Sequence, residues 1–297
     1  MTARYAVIIP TLNAAASISR LIRCLQAQTL PPERILVVDS SSEDDTARIA
    51  GGFPGVQVLT VERKDFDHGG TRDTAIRACD APFVVLMTQD ALPADNGCME
   101  TLLAPMADRR VAAVCARQIA WPEADAAEKA VRAFRYPDVS DSWGREDIPR
   151  LGIRAYLLAD VCAAYRREAY LAVGGFEHPI ATNEDMLIAA DFLTAGYRLA
   201  YSAEARVLHS HNHSLRQEYA RNKLIGGFLA RYEGRFESPG EMGEGLRMVR
   251  VISAELLKRG QFAAWVRFGA GCAARLLGNR AGRREEKARV ERARLDG

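Results

Sequence analysis

The chain lacks most of the features that would place it outside the ordinary globular proteins. No run approaches about 18 uninterrupted apolar residues, so no spanning helix is expected. No basic segment with a long apolar stretch behind it stands at the start, where Met1-Thr2-Ala3-Arg4 leads into a strand-like run, so no signal peptide is expected. The 6 cysteines form no C-x-x-C pair and are expected to be free thiols in a reducing cytosol, neither disulfides nor zinc ligands. Lys and Arg number 40 against 38 Asp and Glu, so charge gives no argument for a nucleic-acid partner. No G-x-G-x-x-G follows the first strand, which argues against a dinucleotide oxidoreductase. There are no internal repeats.

What remains is a 297-residue chain, 48% hydrophobic and 26% charged, long enough for one large domain with an appendage. The apolar runs Ala6–Ile9, Ile35–Val38, Val56–Val61 and Phe83–Met87 read as strands, and the first is continuous, as in a parallel strand covered on both faces. Between them, Ile18, Leu21, Ile22 and Leu25 form one helical stripe behind a candidate cap at Ser17; Asp44–Ala50 and Thr71–Ala78 read as two more helices. Strand alternating with helix implies an α/β fold with parallel strands, whose ligands gather beyond the C-terminal strand ends. Asn13, Asp39 and Asp90 all stand at such ends. From 116 to about 160 the pattern weakens, which suggests a long excursion over the sheet edge. A strand at Asp160–Arg166, helices at Arg167–Val173 and Glu184–Ala195, and short strands at Leu199–Tyr201 and Arg206–Leu208 follow.

The residues at these ends suit one chemistry. A diphosphate leaving group gathers negative charge, and a hard cation held by carboxylates neutralises it. Thr88-Gln89-Asp90 offers such a carboxylate, although Asp90 alone reads more readily as a turn or cap residue. Asp39, followed by three serines, could accept from a pyrimidine imide. In His68-Gly69-Gly70-Thr71-Arg72 the glycines would let backbone approach a ligand, Thr71 would cap a helix, and Arg72 in its first turn would face base or phosphate. Asn183-Glu184-Asp185 opens a helix, where acids suit the dipole, but a carboxylate there could also take the proton of an acceptor hydroxyl. Asp185 is the candidate base, with Glu184 orienting it or binding acceptor. His209, His211 and His213 would share a face if the strand persisted; one of the first two could complete the metal site.

Together the segments Ile9-Pro10-Thr11-Leu12-Asn13, Val38-Asp39-Ser40-Ser41-Ser42, His68-Gly69-Gly70-Thr71-Arg72, Thr88-Gln89-Asp90-Ala91 and Asn183-Glu184-Asp185 resemble family 2 glycosyltransferases. Phe66–Arg72 combined with Thr88–Ala91 is most similar to their bacterial rhamnosyltransferase branch. The resemblance implies a GT-A fold, a Rossmann-like mixed sheet flanked by helices. It implies inverting transfer of a sugar, here L-rhamnose from dTDP-L-rhamnose, to a glycan or lipid-linked oligosaccharide acceptor in surface polysaccharide synthesis. It implies nucleotide contacts from Pro10, Thr11, Asn13, Asp39, His68, Gly69, Arg72 and Gln89. It further implies Mg²⁺ or Mn²⁺ on Asp90 with His209 or His211, and Asp185 as base. Thr88 departs from the commoner pattern, which has a second aspartate there. No Q-x-x-R-W follows, so one or a few sugars per encounter are expected. The alternatives are a UDP-hexose donor with the same mechanism, or a non-catalytic sugar-nucleotide-binding protein.

The expected layout is a catalytic domain at 1–232, with a nucleotide-binding part to about 115 and an acceptor-binding part from about 116, and a basic helical extension at 233–297. That extension holds 14 Lys and Arg against 9 Asp and Glu, with Phe262, Trp265 and Phe268 among them. Such composition suits either an interfacial helix or helices packed on the catalytic domain. The expected setting is the cytoplasm, peripheral on the inner face of the membrane.

Overall fold

The computed structural model describes residues 4–237 and 241–295. Residues 1–3, expected to lead into the first strand, and the last two residues of the basic tail lie outside the described residues. The chain divides into two compact units. One takes residues 1–119, 136–180 and 184–209, the other 120–135, 181–183 and 210–297. The main division thus falls after residue 209, where the sequence suggests 232.

The first unit opens with β1 (Tyr5–Thr11), α1 (Ile18–Gln26), β2 (Arg34–Asp39), α2 (Thr46–Gly51), β3 (Val56–Thr60), α3 (His68–Ala78) and β4 (Phe83–Met87). These four strands are parallel, and Ile8 pairs with Leu36 on one side and Leu86 on the other. Continuous apolar runs are required here because both faces are covered: Ile8, Ile9, Val37, Val85 and Leu86 are wholly buried. Ile18, Leu21, Ile22 and Leu25 of α1 are buried as one stripe. Ser17 stands before α1 but makes no capping bond, because its hydroxyl donates to the Ala14 carbonyl instead.

The chain continues through β5 (Leu92–Pro93), α4 (Cys98–Leu103), β6 (Val111–Ile119), α5 (Ala126–Arg135, in the second unit), β7 (Asp141–Trp143), α6 (Ile148–Leu151), β8 (Cys162–Arg166), α7 (Arg167–Ala172), α8 (Glu184–Thr194) and β9 (Arg198–Leu208). The sheet order is β3-β2-β1-β4-β8-β6-β9-β5, with β7 on β9. Strand β8 runs antiparallel to both β4 and β6, so the sheet is mixed. The stretch from 116 is therefore not irregular at its start. It continues a strand whose apolar run ends at Ala116, before Arg117 and Gln118. The two short strands near 200 are one, β9, with a register shift against β6 between the Ala116–Ser202 and Arg117–Arg206 pairs. That bulge is what made them read as separate. Cys79, Cys98, Cys115 and Cys162 are buried free thiols.

The second unit carries α9 (Leu215–Arg231), α10 (Glu241–Lys258) and α11 (Phe262–Leu295) beside α5. Ala127, Ala130 and Val131 of α5 pack with Ile252, Leu256 and Phe268. Helices α9 and α11 meet backbone to backbone: a methyl at Gly282 would stand 1.9 Å from the Lys223 carbonyl oxygen, and one at Gly278 2.3 Å from that of Tyr219. The half-buried Arg275–Glu218 pair at 2.7 Å fixes the same crossing. Among the described residues no helix is long and apolar enough to cross a membrane.

Candidate active site

At the ends of β1 and β2, Thr11 pairs with Asp39. Asp39 is 2% exposed. Thr11 Oγ1 donates to its Oδ1 at 2.9 Å, Ser42 Oγ to the same oxygen at 2.6 Å, and the Ser42 N–H to Oδ2 at 2.9 Å. Asn13 and Ser41 adopt left-handed φ angles of 52° and 54°, which brings the two turns together. The Asn13 N–H donates to Ser42 Oγ, and Asn13 Oδ1 accepts from the Glu43 N–H. Pro10, half-buried, pairs with Val38 in the same register. Gln89 is engaged with the chain: its Oε1 accepts from the Leu12 N–H at 2.8 Å and its Nε2 donates to the Leu12 carbonyl at 3.1 Å. Its amide thus ties the loop after β1 to the end of β4.

The His68–Arg72 segment differs from its sequence reading in three ways. The helix starts at His68, so its cap is Asp67, whose Oδ1 accepts from the Gly70 N–H at 2.7 Å, and not Thr71. Gly69 is bare because a methyl there would stand 2.1 Å from the Glu177 carbonyl oxygen; its close approach is to its own chain. Arg72 therefore falls in the second turn, and its guanidinium is buried among acids. Nη1 lies 3.0 Å from Glu184 Oε1, and Nε 3.9 Å from Asp160 Oδ2. The same Nη1 donates to the His68 carbonyl at 2.9 Å. Burial holds the His68 imidazole below the ordinary histidine value, against the pull of Glu184.

Around Arg72 three carboxylates collect: Asp160, Glu184 and Asp185. Asp160 lies just before β8, not within it, and is 6% exposed. Tyr165 Oη donates to its Oδ1 at 2.5 Å, while its Oδ2 has no hydrogen-bond partner. Burial pushes its carboxyl up to about 7, partly countered by Arg72 and reinforced by Glu184. Asp185, half-buried in the first turn of α8, is held well above the usual carboxylate range by burial, then by the charges of Asp160 and Glu184. The Met186 N–H and Arg72 act in the opposite direction. Burial and mutual repulsion thus raise the proton affinity of Asp160 and Asp185, which the one arginine offsets only in part. A group at the Asp185 position that holds its proton more tightly than free aspartate is a stronger base towards a hydroxyl.

Asp90, after β4, lies with Oδ2 3.4 Å from Nε2 of His209. His209 follows β9; its N–H donates to the Ile119 carbonyl and its Nδ1 lies 2.9 Å from Gln118 Oε1. The Gln118 amide is itself oriented, because its Nε2 donates to Tyr136 Oη at 2.7 Å. With Nδ1 turned to Gln118, Nε2 faces Asp90. One carboxylate oxygen and one imidazole nitrogen, with a second partner orienting the ring, is a donor set that fits Mn²⁺ or Mg²⁺ beside phosphate. The strand stops at Leu208, so the three histidines do not share a strand face. His211 and His213 lie in the second unit, stacked with ring centroids 4.9 Å apart. Thr88 Oγ1 is buried without a hydrogen-bond partner.

Sequence reasoning passed over Asp160, Tyr165 and Gln118. Each sits in or beside an apolar strand, and the only signal was a polar residue interrupting such a run.

The family model described as Glycosyl transferase family 2 matches residues 6–174. The chain belongs to glycosyl transferase family 2. Relatives extend the match beyond that segment. The O-antigen chain rhamnosyltransferase RfbN of Salmonella typhimurium is 36% identical over 261 residues, 87% of this chain and 82% of its own. WbaN of Salmonella anatum, also an O-antigen chain rhamnosyltransferase, is 37% identical over 265 residues, 88% and 83% of the two chains. Among solved structures, the mannosyltransferase PcManGT from Pyrobaculum calidifontis, in complex with GDP-Man and Mn²⁺, aligns with a TM-score of 0.65 at 19% identity, covering 94% of this chain and 87% of its own. TarS 1–349 of S. aureus with UDP-GlcNAc aligns at 0.57 and 15% identity, covering 97% and 92%. The fold of this family 2 glycosyltransferase is the GT-A fold that the motifs imply.

Proposed function

We propose that this glycosyltransferase moves L-rhamnose from dTDP-L-rhamnose, with inversion, onto a glycan or lipid-linked oligosaccharide acceptor on the cytoplasmic side of a membrane, in building a surface polysaccharide. The observation that carries the reaction is the gathering of Asp160 and Glu184 on the Arg72 guanidinium, with Asp185 beside Glu184 in the first turn of α8. The choice of sugar rests on the likeness to the two Salmonella rhamnosyltransferases.

In this reading Thr11 and Asp39 receive the base, with Asp39 accepting from the thymine imide, and Asn13 and Pro10 shape the turn against the ribose. Asp90 and His209 would hold Mg²⁺ or Mn²⁺. The cation supplies neutralisation of the diphosphate that departs. Asp185 takes the proton of the acceptor hydroxyl as that oxygen attacks the anomeric carbon, and Glu184 orients it while held by Arg72. Arg72 acts through the acids and not on the nucleotide.

Titration calorimetry of dTDP, UDP and GDP, each with and without Mn²⁺, tests the donor. Metal-dependent preference for dTDP is expected, and preference for UDP overturns the sugar. Asp185→Asn should keep nucleotide affinity within about twofold and lower transfer by about 10²-fold or more, as loss of a general base does. Normal turnover in that variant removes Asp185 from the role.

A further inference from the structure

Helix α11 is apolar on two sides. Its inner side carries Phe268, Gly278 and Gly282, all packed within the second unit. Its outer side carries Phe262, Trp265, Val266, Leu276 and Leu277, which are 63%, 39%, 63%, 52% and 58% exposed. Gly269 and Ala273, between them, are exposed as well. These positions recur every three or four residues and so form one stripe, about 22 Å long at the helical rise. A helix that merely closes a soluble unit presents charge on that side. Helix α10 adds Leu246, Val249 and Leu257, which are 55%, 37% and 39% exposed.

The cations around the stripe are arranged with it. Lys258 precedes its start, Arg280 and Arg284 continue it past Leu277, and Arg250 lies on α10 between Val249 and Leu257. All four are exposed, and none has an ion-pair partner among the described residues. Arg247, Arg259, Arg267 and Arg275, by contrast, are each paired with a carboxylate. Hydrocarbon flanked by unpaired cations, with a tryptophan near one end, matches an anionic bilayer surface: the side chains enter the acyl boundary and the cations meet the headgroups. A second copy of this chain is the weaker occupant. A twofold pairing would set much of this positive charge against its own image.

We propose that the outer face of α10 and α11 is a membrane-docking surface for anionic lipid. It uses none of the residues assigned to sugar transfer, so it can fail while that assignment stands.

The test is flotation of the full chain with vesicles of phosphatidylcholine, alone or containing roughly one-quarter phosphatidylglycerol. Binding to the anionic vesicles is expected, at least ~10-fold weaker to the neutral ones and weakened by salt. Phe262→Glu with Leu276→Glu should lower binding ~10-fold or more at an unchanged thermal midpoint, because both side chains are exposed in the free protein. Arg280→Gln with Arg284→Gln should remove the preference for anionic lipid. Brominated lipid should quench tryptophan fluorescence in the native chain and not in Trp265→Phe. No flotation, equal binding to both vesicles, or sedimentation as a dimer that Phe262→Glu dissociates would overturn the proposal.

Discussion

Replacing Asp160 with asparagine should flatten the pH dependence of stability. In the fold its carboxyl titrates at about 7, against 3.8 for an unperturbed aspartate. Between those values the folded chain keeps a proton that the unfolded chain releases. Asp160's contribution is therefore complete below the unfolded value and is lost as pH rises through about 7. The gap corresponds to on the order of 4 kcal/mol across the full window. Asp185 is raised in the same direction and adds to the loss, and Asp160 is one cause of that rise. Asparagine keeps an acceptor for Tyr165 Oη but cannot ionise, so the variant lacks the direct term and part of the Asp185 term. The assay is urea unfolding of both proteins at about pH 5 and about pH 8. The wild type should lose on the order of 3 kcal/mol more than the variant over that interval. The acidic limb of the transfer rate should also move to lower pH in Asp160→Asn, as Asp185 loses a neighbouring charge. Parallel pH dependences in the two proteins would refute the reasoning.

Other substitutions probe other parts of the molecule. Arg72→Met leaves Glu184 and Asp160 buried without their cation and should cost about 3–5 kcal/mol in urea unfolding, more at high pH than at low. Gly282→Ala forces α9 and α11 apart and should cost about 1–3 kcal/mol, read as a lowered thermal midpoint. Asp90→Asn should weaken dTDP binding in the presence of Mn²⁺ and leave metal-free binding unchanged, by calorimetry.

The parallel part of the sheet was legible because its strands are covered on both faces and say so in their composition. Ala6–Ile9 and Phe83–Met87 needed no context. Strand β6 was not, because its second half carries Arg117 and Gln118, and Gln118 is polar in order to face His209. The start of α3 was misplaced for a similar reason. His68-Gly69-Gly70 has poor helix propensity, and only the Asp67 cap and the Glu177 carbonyl make it helical. Acids and histidines announced themselves as types, but not their partners. Arg72 reads as facing base or phosphate from a helix's first turn, whereas it contacts acids 88 and 112 positions away. Such pairings are properties of the closed sheet, which no local pattern contains.

The reversal at β8 also works as a ruler. Because β4 and β8 run in opposite directions with Met87 opposite Cys162, the chain leaving β4 towards Asp90 and the chain entering β8 from Asp160 meet at one edge of the sheet. The Thr88 N–H donating to the Val161 carbonyl extends that register by one more step. The turns that carry Asp90 and Asp160 thus start from paired strand ends. An insertion between β6 and β7 lengthens a connection and leaves the β4/β8 register alone. A single residue added within β4 slips the register against β8 and turns alternate side chains to the wrong face.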